Sequence, residues 1–142
     1  MPSFDISVPD LKTSGPILHV FLGPSREMIA AMPAEAAIAP ISVSALIDTG
    51  AASTVITSTT AALLGLRSVG TVPVHTPTTI EPVWCRQFHI NVYFSAAFAI
   101  ENILAIEGAL TGQAFQCLLG RDVLSRGRFG YDGIANRFTV TF

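Results

Sequence analysis

Residues Ala45–Ile56 read ALIDTGAASTVI, a single carboxylate, Asp48, set between two apolar runs. Both runs have the composition of buried segments, and an isolated buried carboxylate is costly: it neutralises, pairs with a cation or serves a function. No Lys or Arg lies within the stretch. An apolar strand running into Asp48-Thr49-Gly50 puts a carboxylate at a strand end, where a glycine lets the backbone turn tightly and approach a ligand. Taken alone, the tripeptide reads first as a turn in which the Asp48 side chain bonds nearby N–H groups.

Outward from this stretch the dominant pattern has period two with β-branched and aromatic residues, the mark of half-buried strands. Phe88, Ile90, Val92 and Phe94 alternate with His89, Asn91 and Tyr93, and Arg137 to Phe142 alternates too. Further strands are expected over Phe4 to Val8, Ile17 to Leu22, Ile41 to Ile47, Val69 to His75, Ile100 to Glu107 and Phe115 to Leu119. Asp132-Gly133 signals a hairpin turn before the final strand. Ser58 is expected to cap a helix over Thr59 to Leu64, and Asp122 a short turn through Val123 and Leu124 ending near Gly127. Residues 23–40, rich in Ala and Pro, read as a long surface loop in which Ser25 to Ala31 makes at most a turn or two. The expected fold is mainly β, with one or two short helices, in one domain over residues 1–142.

Composition narrows the function. Half of the 142 residues are hydrophobic and 13% are charged, against about 25% in an ordinary soluble domain. That balance leaves apolar surface for a partner, and self-association is expected. A net charge of −2 with no basic run argues against nucleic acid or an anionic membrane as partner. Cys85 and Cys117 read as buried free thiols, and His19, His75 and His89 have no zinc-ligand spacing. The start, MPSFDISVPDLKTSG, lacks a cationic n-region and an apolar core, no window is long and apolar enough to cross a membrane, and the reading is a cytoplasmic protein.

A second motif changes the weight of the first. Cys117-Leu118-Leu119-Gly120-Arg121-Asp122-Val123-Leu124 is another apolar strand running into a glycine and then a short helix. With the apolar-Asp-Thr-Gly-Ala stretch at 46–51, a β-rich segment between, and Arg121-Asp122 after Gly120, the chain from about Ile17 to Phe142 resembles the retropepsin-like aspartic proteases, the family of the retroviral proteases and their bacterial and eukaryotic relatives.

The resemblance implies a closed, barrel-like single lobe acting as a symmetric homodimer. Such enzymes use two Asp-Thr/Ser-Gly loops. Asp10 and Asp132 have no Thr-Gly or Ser-Gly after them, so the second aspartate comes from a second copy across a two-fold axis. Two carboxylates about 3 Å apart cannot both ionise easily and share a proton. The family's chemistry is hydrolysis of peptides bound in extended conformation, with no metal, cofactor or covalent intermediate. By the same resemblance Asp48 is the catalytic carboxylate, Thr49 locks the two loops together, and Gly50 presents its backbone to the peptide. Ala51, Ala52, Val55 and Leu118 match positions that contact the substrate. Residues 72–83, with Thr76, Pro77 and Thr78 near the tip, are the candidate flap, the alternative being a plain surface hairpin.

Several features depart from the retroviral pattern. The flap tip has no glycines. Ala52 stands where an acidic residue would pair with Arg121, which is left to Asp5, to Asp10 or to solvent. Trp84 is expected to pack against the hairpin base. The termini of such dimers weave into one sheet, a role that suits Phe138, Val140 and Phe142, with Phe4, Ile6 and Val8 in an N-terminal arm (residues 1–15); the alternative is that these residues cover the chain's own core. Two further functions stay open: a dimeric peptide-binding or scaffold module with little proteolysis, and a retroelement-derived enzyme processing only its own polyprotein.

Overall fold

The computed structural model describes residues 1–36, 38–76, 78 and 80–142. The described residues form ten strands: β1 (Ser3–Ser7), β2 (Ile17–Pro24), β3 (Ile41–Ile47), β4 (Val55–Ile56), β5 (Gly70–Val74), β6 (Val83–Ser95), β7 (Phe98–Glu107), β8 (Cys117–Leu119), β9 (Arg128–Asp132) and β10 (Arg137–Thr141). Six of them close a ring in the order β2-β3-β8-β4-β7-β6, because β6 also pairs with β2. Closure leaves no free edge in the ring and is the barrel-like lobe that the resemblance implies. In β3 the alternation puts Val43, Ala45 and Ile47 inside and Ser42, Ser44 and Leu46 outward. The inward residues meet Leu22, Phe88, Ile90, Val92 and Leu119 in one apolar core.

β5 attaches outside the ring as a hairpin with β6, Val74 opposite Val83. A separate sheet, β1-β10-β9, packs on the barrel. Phe4 of β1 and Phe142 meet Phe94 and Phe98 of the barrel at ring-centroid distances of 4.9 to 6.3 Å. The 1–15 stretch thus folds back on the chain.

The residues expected to weave the termini of two copies together are built into one chain. β10 is the central strand of its sheet, paired with β1 on one side and β9 on the other, and Phe138, Val140 and Phe142 are buried in the chain's own core. Both edges of β10 are filled, so the C-terminal strand has no free edge for a partner.

The described residues hold four short α-helices, more than the one or two expected: α1 (Leu11–Ser14), α2 (Arg26–Ala31), α3 (Ser58–Leu63) and α4 (Arg121–Leu124). Helices of one turn carry too few residues to show a period. The 23–40 segment is not one loop. β2 runs on through buried Gly23 and Pro24, Ser25 caps α2 by accepting from Met28 N, and Ala34–Ala36 form a 3₁₀ turn. The cap of α3 is Thr57, whose hydroxyl accepts from Thr60 N at 3.1 Å, one residue before the expected Ser58. Asp122 does not cap α4 from outside but sits in its first turn; Gly120 holds the cap position. The final hairpin turns over residues 133–136, with Asp132 Oδ1 accepting from Ile134 N and Ala135 N and the positive φ on Asn136. The Asp-Gly pair marks the hairpin, whose turn takes the four residues between Asp132 and Arg137.

Two side chains are less buried than expected. Trp84 is 66% exposed, opposite Pro73 on the outer hairpin, where no core reaches it. Cys85, in the same strand, is half-buried, while Cys117 is fully enclosed; both thiols are free. No helix among the described residues is long and apolar enough to cross a membrane.

Candidate active site

The two motifs meet through a strand insertion. β3 carries the chain into Asp48, and β4 carries it out after Thr54. β8, from much later in the chain, slots between them, parallel to β3 (Leu46 opposite Leu118) and antiparallel to β4 (Val55 opposite Leu118). The 48–54 loop therefore emerges beside Gly120 at the end of β8. Asp48 N donates to Leu119 O at 2.9 Å, which continues the β3–β8 ladder to the carboxylate-bearing residue itself.

Within the loop, Gly50 N donates to Asp48 Oδ1 at 2.9 Å and Ala51 N to Asp48 O at 3.2 Å. This is the tight turn that the tripeptide suggests, made with the Gly50 N–H; its φ is not in the left-handed region. A Cβ on Gly50 would stand 3.1 Å from Asp48 Oδ1, so the glycine matters here for close approach. Asp48 is half-buried, Thr49 and Gly50 are exposed, and among the described residues no cation pairs with Asp48 and nothing bonds the Thr49 hydroxyl. The carboxylate and its neighbours face out of this chain.

Three residues of the second motif, Gly120, Arg121 and Asp122, fix the loop. Arg121 Nη1 donates to Thr49 O at 2.7 Å and Arg121 N to Ala51 O at 2.8 Å. Arg121 thus pairs with neither Asp5 nor Asp10: Asp5 faces Thr139 and Arg137, Asp10 accepts from Thr13, and the guanidinium finds a backbone carbonyl instead. Gly120 lies against backbone, where a Cβ would come within 2.7 Å of Ser53 C and O. No side chain could give way there. The carboxylate of Asp122 accepts from Thr54 N at 2.8 Å and from Thr54 Oγ1 at 2.8 Å, and Gly120 N in turn donates to Thr54 Oγ1 at 3.3 Å. Thr54 is fully buried, and a buried donor of this kind needs its partner.

Asp122 and Thr54 are the residues that sequence reasoning missed. The available signal was Asp122, read only as a helix cap, and a threonine without an evident role, each a few residues beyond a motif glycine. Burial pushes the adjacent Cys117 thiol pKa well up, with the Asp122 charge adding to the effect. That thiol is a protonated core group.

Of the sites expected from sequence, Asp48, Thr49, Gly50, Ala51, Val55 and Leu118 come together at this junction, with Val55 and Leu118 half-buried and Ala52 exposed on the loop's outer side. Thr76 and Thr78 are exposed at the end of the β5–β6 hairpin with their hydroxyls 3.3 Å from each other. Pro77 and Thr79 fall outside the described residues. Among the described residues no three His, Cys, Asp or Glu side chains converge as a metal would require.

A closed six-strand barrel with an Asp-Thr-Gly loop held by a Gly-Arg-Asp turn is the architecture of a retropepsin-like lobe. Residues 34–126 match the family model described as "gag-polyprotein putative aspartyl protease", and the chain belongs to that aspartic protease family. Among solved structures it is similar to a retropepsin-like aspartic protease from Rickettsia conorii, with 17% identity, a TM-score of 0.59, and coverage of 98% of this chain and 91% of that one. At that identity the likeness carries the fold. No curated protein matches the chain.

Proposed function

We propose that this protein is an aspartic endopeptidase that works as a symmetric homodimer, with Asp48 and the partner's Asp48 as its catalytic pair. The observation that supports this most directly is the Asp48 loop itself: one half-buried carboxylate without a cation, flanked by exposed Thr49 and Gly50, at the end of a strand whose register is fixed on both sides. A single copy offers half a site. Across a two-fold, the exposed loop meets its own mate and the two carboxylates share a proton. The ionised member takes a proton from a water held between them, the water oxygen attacks the scissile carbonyl, and the protonated member donates to the carbonyl oxygen. Collapse of the tetrahedral intermediate passes a proton to the leaving amine and frees both products. The Thr49 hydroxyls lock the two loops, Gly50 offers backbone to the peptide, and Ala51, Ala52, Val55 and Leu118 line its side-chain sites. The hairpin at 72–83, with Thr76, Pro77 and Thr78 at its tip, serves as the flap that shuts out water. Residues 1–142 act as one domain.

The test is cleavage of a diverse peptide library by wild type and by Asp48→Asn, with the dimer fraction of each measured by sedimentation. Wild type is expected to cut at acid to near-neutral pH and Asp48→Asn to be silent while still dimeric. A rate that rises up to about pH 9 would count against a shared proton. A folded dimeric wild type that cuts nothing would favour the peptide-binding module, a reading already suggested by the glycine-free hairpin tip and by Ala52.

A further inference from the structure

The site needs a second copy, and the fold restricts where that copy can join. With β10 flanked on both sides, the three-stranded sheet has two free edges, the outer sides of β1 and β9. The β1 edge borders a groove of about 560 Å³ shared with the start of β2 and lined by Phe4, Ile6, Ile17 and Phe94, so a strand added there would have to enter beside the chain's own barrel. β9 has no such neighbour. It also starts just beyond α4, the helix whose Arg121 is bonded to Thr49 and Ala51.

The sequence of β9 is Arg128-Phe129-Gly130-Tyr131-Asp132. Laid antiparallel on a second copy and centred on Gly130, it is complementary to itself: Arg128 stands opposite the partner's Asp132, Phe129 opposite the partner's Tyr131, and glycine meets glycine on the axis. The two ion pairs fall on the polar face of the sheet, which already carries Arg137 at 3.5 Å from Asp5. The aromatic pairs fall on the face that holds Phe138 and Val140. Among the described residues Arg128 has no side-chain partner within its own chain, and Tyr131 is 51% exposed. A Cβ added at Gly130 would meet nothing within 4 Å. Sliding the register by one or more residues breaks both charge pairs, so the centred register is the favoured one.

We propose that the β9 edge is the dimer interface, joining two copies in a continuous six-stranded sheet, β1-β10-β9 followed by its symmetry mate, with Gly130 on the two-fold axis. This deepens the homodimer reading and rests on it. The test uses the full chain. Arg128→Glu turns two attractive cross-strand pairs into two repulsive ones. It is expected to raise the dimer Kd about 30-fold, from contributions of about 0.5 kcal/mol per pair and a like amount per repulsion, with the thermal melt of the monomer unchanged and part of the loss recovered in 0.5 M salt. In a Cys85→Ser background, Gly130→Cys is expected to give an intersubunit disulfide under mild oxidation, since antiparallel neighbours lie within disulfide reach. A wild type that dimerises and cleaves peptides, but whose dimer Arg128→Glu leaves intact and Gly130→Cys does not cross-link, overturns the β9 interface and leaves the shared Asp48 pair standing. A wild type that cleaves as a monomer overturns both.

Discussion

Asp122→Ala should cost this protein far more than the loss of the neighbouring Arg121. The Asp122 carboxylate holds Thr54 by two bonds of 2.8 Å and Val123 N by one of 2.9 Å. Hydrogen bonds to a charged group contribute about 1.5–3 kcal/mol each, and a buried donor left unpaired costs about 1–3 kcal/mol. The three are not independent, since one side chain makes them all and water can reach the half-buried Asp122 position but not the fully buried Thr54. A loss of about 3 kcal/mol is therefore expected instead of the sum. Arg121→Ala removes an exposed guanidinium from a single carbonyl at 2.7 Å, and water replaces it at a cost of about 1 kcal/mol or less. Asp122→Asn keeps an acceptor for one Thr54 donor and should fall between. Urea unfolding at fixed protomer concentration measures all three, because subunit association would otherwise shift the midpoint. On the proposed function, peptide cleavage is a second readout: Thr54 ends the Asp48 loop, so releasing it should displace the carboxylate. A misplacement of about 1 Å can cost about 100-fold in rate. If Asp122→Ala lost under about 1 kcal/mol, or no more than Arg121→Ala, the view that Asp122 anchors the loop would be wrong.

The two thiols should react differently. Cys117 is fully buried with its pKa driven up by burial, whereas Cys85 is half-buried, so a thiol reagent at about pH 8 should label Cys85 in the native state and Cys117 only after denaturation. Rapid native labelling of both would contradict the burial. The Arg86–Glu107 pair on the barrel's outer side, bidentate at 2.7 and 2.8 Å, holds the Glu107 carboxyl below its ordinary value of 4.5, chiefly by hydrogen bonding from Arg86. Its folded value is lowered, so the stabilisation is present above the ordinary value and is lost as pH falls through the lowered one. The melting temperatures of wild type and Arg86→Ala should therefore differ at pH 7 and converge as the pH falls through the lowered Glu107 value. A constant difference across that range would show that the guanidinium acts by packing alone.

Much of this molecule is legible in single stretches of chain. Alternation over Phe88 to Phe94 and over Arg137 to Phe142 announces strands, because facing a core on one side imposes period two on whatever strand does it. Asp48-Thr49-Gly50 announces a tight turn bearing a carboxylate, and Leu118-Leu119-Gly120 a strand that must end against something close. Caps were read one residue off at Ser58, where Thr57 and Ser58 are chemically equivalent candidates and only the backbone angle of the first helical residue distinguishes them. Trp84 was expected to be covered because it is large and apolar. Whether a hairpin leaves the barrel or folds onto it is not a property of the hairpin.

What the sequence by itself determined is most of the strands, though not the two-residue β4, together with the carboxylate-bearing turn and the family they mark. Strand order belongs to the tertiary structure. Only there does β8 enter between β3 and β4, bringing Asp122 to Thr54 and Arg121 to Thr49, and only there does β10 lie between β1 and β9, leaving β9 as an open edge. The physical reason is the range of the interactions. Periodicity and turn chemistry act over a few neighbouring residues, whereas the pairing of β3 with β8 is chosen by how all the apolar faces can be buried at once, and no local segment carries that information.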